Sequence, residues 1–280
     1  MTHSRTSLVD LLNQHGLKPS RALGQNFVVD PNTVRRIARL ANVGEGDLVL
    51  EIGPGLGSLT LALVETGATV EAIEIDKYLL EPLRSVVEPH GVVVHHADAL
   101  EADYETILRG RNAVVVANLP YNVATPLVLH LLETVPQITR MLVMVQKEVG
   151  ERYAAQAGEE AFGAVSLRVQ YFADASIAGK VGPNVFVPKP NVDSALVSIV
   201  RRDQVRIDPN LVSEADLFEV VRMAFGQRRK MLRRSLQGWT TDGVFERAGI
   251  DETRRPEELT LEEFAQLAAA RLCGCSRRPN

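Results

Sequence analysis

A doubly wound α/β sheet followed by a small all-helical domain is what the chain predicts, on three observations. Short apolar runs near 47–52, 69–75, 92–96, 112–117 and 140–146 alternate with helical stretches, the pattern of a parallel sheet covered on both faces. Two further runs, near 174–181 and 194–202, have no full helix between them. The proline-rich loop Gly182 to Asn191 joins them, so this last pair is expected to be antiparallel and brings the sheet to seven strands. From Asp208 only helical spacing remains, roughly Glu214–Phe225, Arg228–Gln237, Asp242–Ala248 and Leu261–Leu272. The boundary is placed at Arg202 to Pro209, giving domains of residues 1–205 and 206–280.

In chain order, Leu8–Gln14 reads as a short helix and Gly16–Asp30 as a loop carrying Gln25-Asn26-Phe27. Asp30 and Pro31 make an N-cap and first-turn pair for a helix through Ala41. The strand Leu48–Ile52 then enters Gly53-Pro54-Gly55-Leu56-Gly57-Ser58. Its glycines let the backbone approach a ligand closely, and Ser58 is placed to cap the next helix. About twenty residues on, the strand Thr69–Asp76 ends in acid, and a carboxylate at Glu74 can take both hydroxyls of a ribose. Val92–His96 is followed by Asp98, placed to accept from the amine of an adenine ring. A nicotinamide dinucleotide competes for this Rossmann-like pattern, but the third glycine of its fingerprint is Ser58 here. The spacing of Gly53, Gly55 and Gly57, with Glu51 ahead of it, suits S-adenosylmethionine better.

The fourth strand, Ala113–Ala117, runs into Asn118-Leu119-Pro120-Tyr121. Pro120 stops the strand and holds Leu119 extended. That geometry turns the Asn118 side-chain carbonyl and the Leu119 main-chain carbonyl towards the carboxyl end of the sheet, with the Tyr121 ring beside them. Two acceptors and a stacking plate suit a planar exocyclic amine such as N6 of adenine. By itself the tetrapeptide also reads as a turn with a core tyrosine; its weight comes from the glycine turn, Glu74 and Asp98 on neighbouring strand ends.

With 280 residues, 45% hydrophobic and 24% charged, the chain can bury one large core and a smaller satellite. No apolar stretch reaches membrane-spanning length and Met1–Ser4 lacks a signal peptide's apolar region, so no membrane association and a cytoplasmic location are expected. The net charge of −4 excludes a generally basic nucleic-acid binder, so any RNA contact must come from a local patch. One such patch runs from Arg222 to Arg234, with six basic residues and no acidic one. Arg228, Arg229, Lys230, Arg233 and Arg234 are expected on one helix as a phosphate-tracking strip; the alternative is an ordinary solvated helix face. Cys273 and Cys275 read as free thiols in a reducing compartment. His95 and His96 lack metal-ligand spacing and read as structural, and no metal is expected. Asp193 and Ser194 have no histidine to complete a triad and read as ordering the loop before the last strand.

Several segments together resemble the ribosomal RNA adenine dimethyltransferases, most closely the small-subunit members. They are Leu23–Phe27, the Glu51–Thr60 loop, Glu74, Asp98, Asn118–Tyr121, Phe186–Ser194 and Ala224–Lys230, and the likeness runs from about Arg21 to the last helix. Val28 stands where the family has leucine, and the tail after Leu272 matches nothing in it. The resemblance implies a monomeric, S-adenosylmethionine-dependent enzyme on the seven-stranded methyltransferase sheet. Its substrate would be two adjacent adenosines in the 3′-terminal hairpin loop of 16S rRNA, dimethylated at N6 in a 30S assembly intermediate. Asn26 and the Val28 backbone would close over the cofactor. Phe186 would stack on the target base opposite Tyr121; from its loop alone, Phe186 reads equally as a core residue. The chemistry agrees, because a sulfonium is already an activated methyl donor and needs no metal or covalent nucleophile. The acceptors at Asn118 and Leu119 would favour a pyramidal N6 and aim it, and the target must be flipped or unpaired. Two rivals stand beside this reading: a 23S rRNA methyltransferase of the macrolide-resistance type, and a non-catalytic RNA-binding assembly or transcription factor on the same fold. The full helical domain and the Phe186–Ser194 loop favour the small-subunit enzyme. The glycine turn with Glu74, Asp98 and Asn118 speaks against lost catalysis.

Overall fold

The computed structural model describes residues 2–20 and 23–275. The first elements are α1 (Arg5–Gln14), β1 (Phe27–Val28), α2 (Pro31–Ala41), β2 (Leu48–Ile52), α3 (Ser58–Val64), β3 (Thr69–Glu74) and α4 (Leu80–Val87). Then come β4 (Val93–His96), α5 (Tyr104–Leu108), β5 (Ala113–Asn118), α6 (Ala124–Thr134), β6 (Ile138–Gln146), α7 (Lys147–Ala154), α8 (Ala164–Phe172) and β7 (Ala173–Val181). The last are β8 (Phe186–Val187), β9 (Ser194–Arg201), α9 (Glu214–Gly226), α10 (Leu232–Ser235), α11 (Val244–Ala248) and α12 (Leu261–Cys275). The side chains of Cys273 and Cys275 lie outside what the structure describes. Among the described residues no helix is long and apolar enough to cross a membrane.

All seven expected strands form one sheet, in the order β4-β3-β2-β5-β6-β9-β7. The first five pair in parallel, and β9 runs antiparallel to β6 with Ser194 opposite Gln146. Every residue of β2 is buried, as is β5 up to Ala117, which is why these strands read as continuous apolar runs. Helix α2 starts where expected: the Asp30 carboxylate accepts from the Thr33 N–H at 2.9 Å, and Asn42, left-handed at φ 50°, ends it. The cap of α3 differs. Gly57, at φ 83°, precedes the helix, and Ser58 is its first residue with no capping bond.

A two-stranded antiparallel ladder pairs Phe27 with Val187 and Val28 with Phe186. Strands of two residues carry no periodicity, so the segment reads as loop in the sequence.

The described residues divide into two compact units, one running to Glu151 and joined by Ala175–Arg201, the other made of Arg152–Asp174 and the described residues from Arg202 on. A single boundary at Arg202–Pro209 therefore misses the segment Arg152–Asp174, which groups with the helical part. Its aromatic residues explain why: the Phe162 ring lies 6.3 Å from Phe225, and the Tyr171 ring 5.4 Å from Phe218. In the helical unit, the helix expected over Arg228–Gln237 is only the four residues of α10. The Leu232 and Arg233 N–H groups donate to the carbonyls of Arg254 and Glu252, at 2.8 and 3.0 Å, so the chain before Leu232 is held by a neighbouring turn. Arg228, Arg229 and Lys230 sit in a turn before the helix.

Candidate active site

A cleft opens at the carboxyl ends of β2, β3, β4 and β5, where a parallel sheet places its ligand crevice. The residues expected to bind cofactor or substrate converge there: Asn26, Val28, Gly53, Gly55, Glu74, Asp98, Asn118, Leu119, Pro120 and Tyr121 all line it. Gly57 and Phe186 do not.

The three glycines serve different ends, although all have positive φ. A Cβ at Gly53 would meet nothing nearer than the Asn118 carbonyl oxygen at 4.0 Å, so this is the face left open for a ligand. At Gly55 it would lie 2.8 Å from the Phe27 ring, and at Gly57 2.7 Å from a Val87 methyl. Gly55 thus admits the N-terminal segment, and Gly57 lets α3 and α4 pack.

Glu74 ends β3 and is 4% exposed. One carboxylate oxygen accepts from the Gly55 N–H at 3.1 Å and the other from the Asp76 N–H at 2.9 Å, which fixes the group and leaves each oxygen a lone pair. Burial pushes its pKa up to about 7. Asp98 is exposed at the mouth, with one oxygen accepting from the Leu100 N–H at 2.9 Å. Asn118 donates its amide N–H to the Asn26 carbonyl at 2.9 Å, so the amide oxygen is the end presented to the cleft. The Tyr121 ring is steadied by its hydroxyl, 3.1 Å from the Ser194 Oγ at the start of β9.

Phe186 departs from expectation. It is 1% exposed and belongs to the core with Val28, its ladder partner. A ring buried on both faces offers no plate to a base, so the two-ring clamp is not present in this arrangement. His95 is structural as expected: its Nε2 lies 2.6 Å from the buried Glu71 carboxylate, which Arg109 and Arg111 also reach at 3.3 and 3.0 Å.

Among the other lining residues two bear on a ligand: Glu51, which the sequence set ahead of the glycine turn without giving it a contact, and Ile75. Glu51 on β2 is 1% exposed, its pKa is raised by burial to about 8, and its Oε2 has no partner among the described residues. The Thr60 side chain eases this acid only in part, and a buried carboxyl with so little hydrogen bonding is costly and suits a cationic or hydrogen-bonding ligand. Its signal was an acid inside an apolar strand. Ile75, 48% exposed beside Glu74, gives the wall a flat apolar surface; nothing in its sequence context sets it apart from a strand residue. An acid-lined cleft with an apolar wall and a fixed carboxylate at the end of β3 fits S-adenosylmethionine, whose methionine half carries ammonium and sulfonium charges.

The sequence model for ribosomal RNA adenine dimethylase matches residues 16–270. The chain belongs to this family. Among similar proteins, a "ribosomal RNA small subunit methyltransferase A" from Thermobifida fusca is 46% identical over 270 residues, 93% of each chain. Those of Streptomyces coelicolor and Bifidobacterium adolescentis, with the same name, are each 45% identical and cover 90% and 91% of this chain and 91% and 89% of theirs. Two solved structures share the dimethylase fold. A dimethyladenosine transferase from Plasmodium falciparum matches with a TM-score of 0.72 at 23% identity, over 85% of this chain and 94% of its own. A 23S rRNA methyltransferase matches at 0.69 with 24% identity, over 88% and 99%.

Proposed function

We propose that this dimethylase family member transfers methyl groups from S-adenosylmethionine to N6 of two adjacent adenosines in the 3′-terminal hairpin loop of 16S rRNA. The observation that carries this is the tie between Asn118 and Asn26, which presents the Asn118 amide oxygen to the cleft beside Tyr121. Relatives about 45% identical over nine-tenths of the chain, named as small-subunit methyltransferases, support the choice of RNA. The 23S methyltransferase, at 24% identity, supports the fold only.

When bound, the cofactor supplies a methyl group already activated by its sulfonium. Glu74 would hold the ribose hydroxyls, Asp98 the adenine amine, and Glu51, in the same cleft lining, would ionise against the cofactor's positive charge. The Asn118 oxygen and the Leu119 carbonyl would accept from N6–H, drawing the nitrogen lone pair out of conjugation and aiming it. The proton leaves after transfer, from a nitrogen bearing positive charge, and water suffices as acceptor. Tyr121 supplies the stacking ring, with base–aromatic stacking of about 1–3 kcal/mol. The base must reach the cleft unpaired or flipped.

For the RNA grip we assign Arg229, Lys230 and Arg234, which are exposed and carry no ion pair among the described residues. Arg228 and Arg233 are secondary, because Glu257 and Glu252 lie 3.9 and 3.5 Å from them. The enzyme would act as a monomer in the cytoplasm, on an assembling small subunit. Tritiated methyl transfer into undermethylated small subunits, with the modified nucleotide mapped, tests the whole reading. Label at both adenosines is expected; no label there, or label only when large subunits are offered in a parallel reaction, would overturn it.

A further inference from the structure

We infer that Gln25 is a positioning residue that holds the N-terminal segment across the cleft and so sets both cofactor grip and the orientation of Asn118. The inference rests on the reading of the cleft as an S-adenosylmethionine site.

Residues 23–28 line the cleft and are tied on two sides, to the end of β5 and to the acid just beyond β3. On one side the Asn26 carbonyl takes the Asn118 amide N–H at 2.9 Å. On the other, the Gln25 Nε2 donates to the Asp76 carboxylate at 2.8 Å. The Gln25 Oε1 meanwhile accepts from the Ser20 N–H at 2.8 Å. Both ends of the Gln25 amide are therefore committed, and a flip would set donor against donor and acceptor against acceptor. Asp76 is equally constrained: its second oxygen accepts from the Tyr78 N–H at 3.0 Å, and its own N–H donates to Glu74 at 2.9 Å. One unbroken chain of hydrogen bonds thus runs from Ser20 through Gln25 and Asp76 to Glu74.

Close packing leaves this segment little alternative seat. The Phe27 ring fills the space a side chain at Gly55 would need, and a Cβ at Gly24 would lie 3.1 Å from the Asn122 Oδ1 and 3.3 Å from Pro120. The carbonyl that orients Asn118 belongs to the residue next to Gln25. Releasing Gln25 from Asp76 therefore loosens the cover over the cofactor and frees the Asn118 amide to turn. A solvated loop contact would do neither.

The test is a reversal of the bond. Gln25→Glu sets two carboxylates face to face, and Asp76→Asn sets two amide N–H groups face to face. In the double variant the new asparagine donates to the new glutamate, and the bonds from the Ser20 and Tyr78 N–H groups are kept. Calorimetric affinity for S-adenosylmethionine, without RNA, is expected to weaken about tenfold in each single variant, as for loss of a hydrogen bond to a charged group. It should return to within about twofold of wild type in the double. Hydrogen exchange at the Asn26 and Phe27 amides should speed up and recover in parallel. In methyl transfer, KM for the cofactor should rise and kcat fall in the single variants, with both restored together. Gln25→Met, similar in shape but without the bonds, should behave like the singles and stands in should a charged variant not fold. Affinities unchanged in the singles, or additive loss in the double, would overturn the role of Gln25. A wild-type protein that does not bind S-adenosylmethionine would instead overturn the cofactor reading beneath it.

Discussion

The cleft and the basic stretch Arg228–Arg234 use polar groups in opposite ways. In the cleft, Glu51 and Glu74 are 1% and 4% exposed, and Asn118 and Glu74 are fixed by backbone partners at 2.9–3.1 Å. Around Arg228–Arg234 the charges stand in solvent, and the ion pairs to Glu257 and Glu252 are long, at 3.9 and 3.5 Å. Out of water, each interaction is strong and nothing replaces it when it is lost. In water, exposed pairs are worth about 0–1 kcal/mol and exchange readily for another anion. One region therefore depends on a few irreplaceable groups, the other on several interchangeable ones, and the sizes of mutational effects should follow that division.

The largest effect is expected at Asn118. Its oxygen matters most when N6 becomes pyramidal, so Asn118→Ala should lower single-turnover methyl transfer by roughly 10²–10³-fold, as for loss of a preorganised group at a developing charge. RNA affinity should change little. A variant with near-normal rates would mean that the tetrapeptide is only a turn.

Next is Glu74. Removing a buried acceptor that two backbone N–H groups hold in place should weaken S-adenosylmethionine binding by roughly 1.5–3 kcal/mol in Glu74→Ala. RNA binding, assigned to other residues, should stay nearly intact. Calorimetry that finds the same cofactor affinity would remove Glu74 from the ribose site.

These two residues were legible because topology, not side-chain detail, places them. In a parallel sheet all carboxyl ends lie on one edge, so acids and amides at the ends of β3 and β5 and after β4 must meet. Nothing comparable constrains Arg228–Arg234. Local pattern suggests a continuous helix, but the hydrogen bonds from the Leu232 and Arg233 N–H groups to the 252–254 turn are long-range, and they also bring Glu252 to Arg233. Phe186 was ambiguous for a related reason. Its burial follows from pairing with Val28, 158 positions earlier in a ladder too short to leave a pattern. The grouping of Arg152–Asp174 with the helical unit likewise depends on which aromatic rings meet in space.

A pH titration sharpens the comparison from the cleft side. Burial raises Glu51 to about 8 and Glu74 to about 7, so the folded protein holds these protons more tightly than the unfolded chain. Their contribution to stability is fully present below the ordinary carboxyl value near 4.5 and is lost as pH rises through about 7 and 8. The cofactor-free protein should therefore lose stability from pH 5 to 8, on the order of 1 kcal/mol per pH unit at most for each group. Glu51→Gln should flatten that slope. Denaturant titrations with identical pH dependence in wild type and variant would show that Glu51 does not titrate in this window.

The smallest effects belong to the basic stretch, where number rather than any single residue counts. If Arg229 and Arg234 follow a phosphate backbone, each contact releases condensed counterions, and binding weakens as salt rises. Arg229→Glu with Arg234→Glu should lower affinity for the small-subunit particle and flatten the log–log salt plot by roughly one unit per lost contact, less for unpaired RNA. Arg233→Glu should do less, because Glu252 already occupies part of its field. Cofactor affinity should be unchanged in both variants, since none of the three residues lines the cleft. Particle affinity measured at several salt concentrations separates the cases. Parallel plots of equal affinity for wild type and the double variant would leave the stretch as solvated charge and move RNA docking elsewhere.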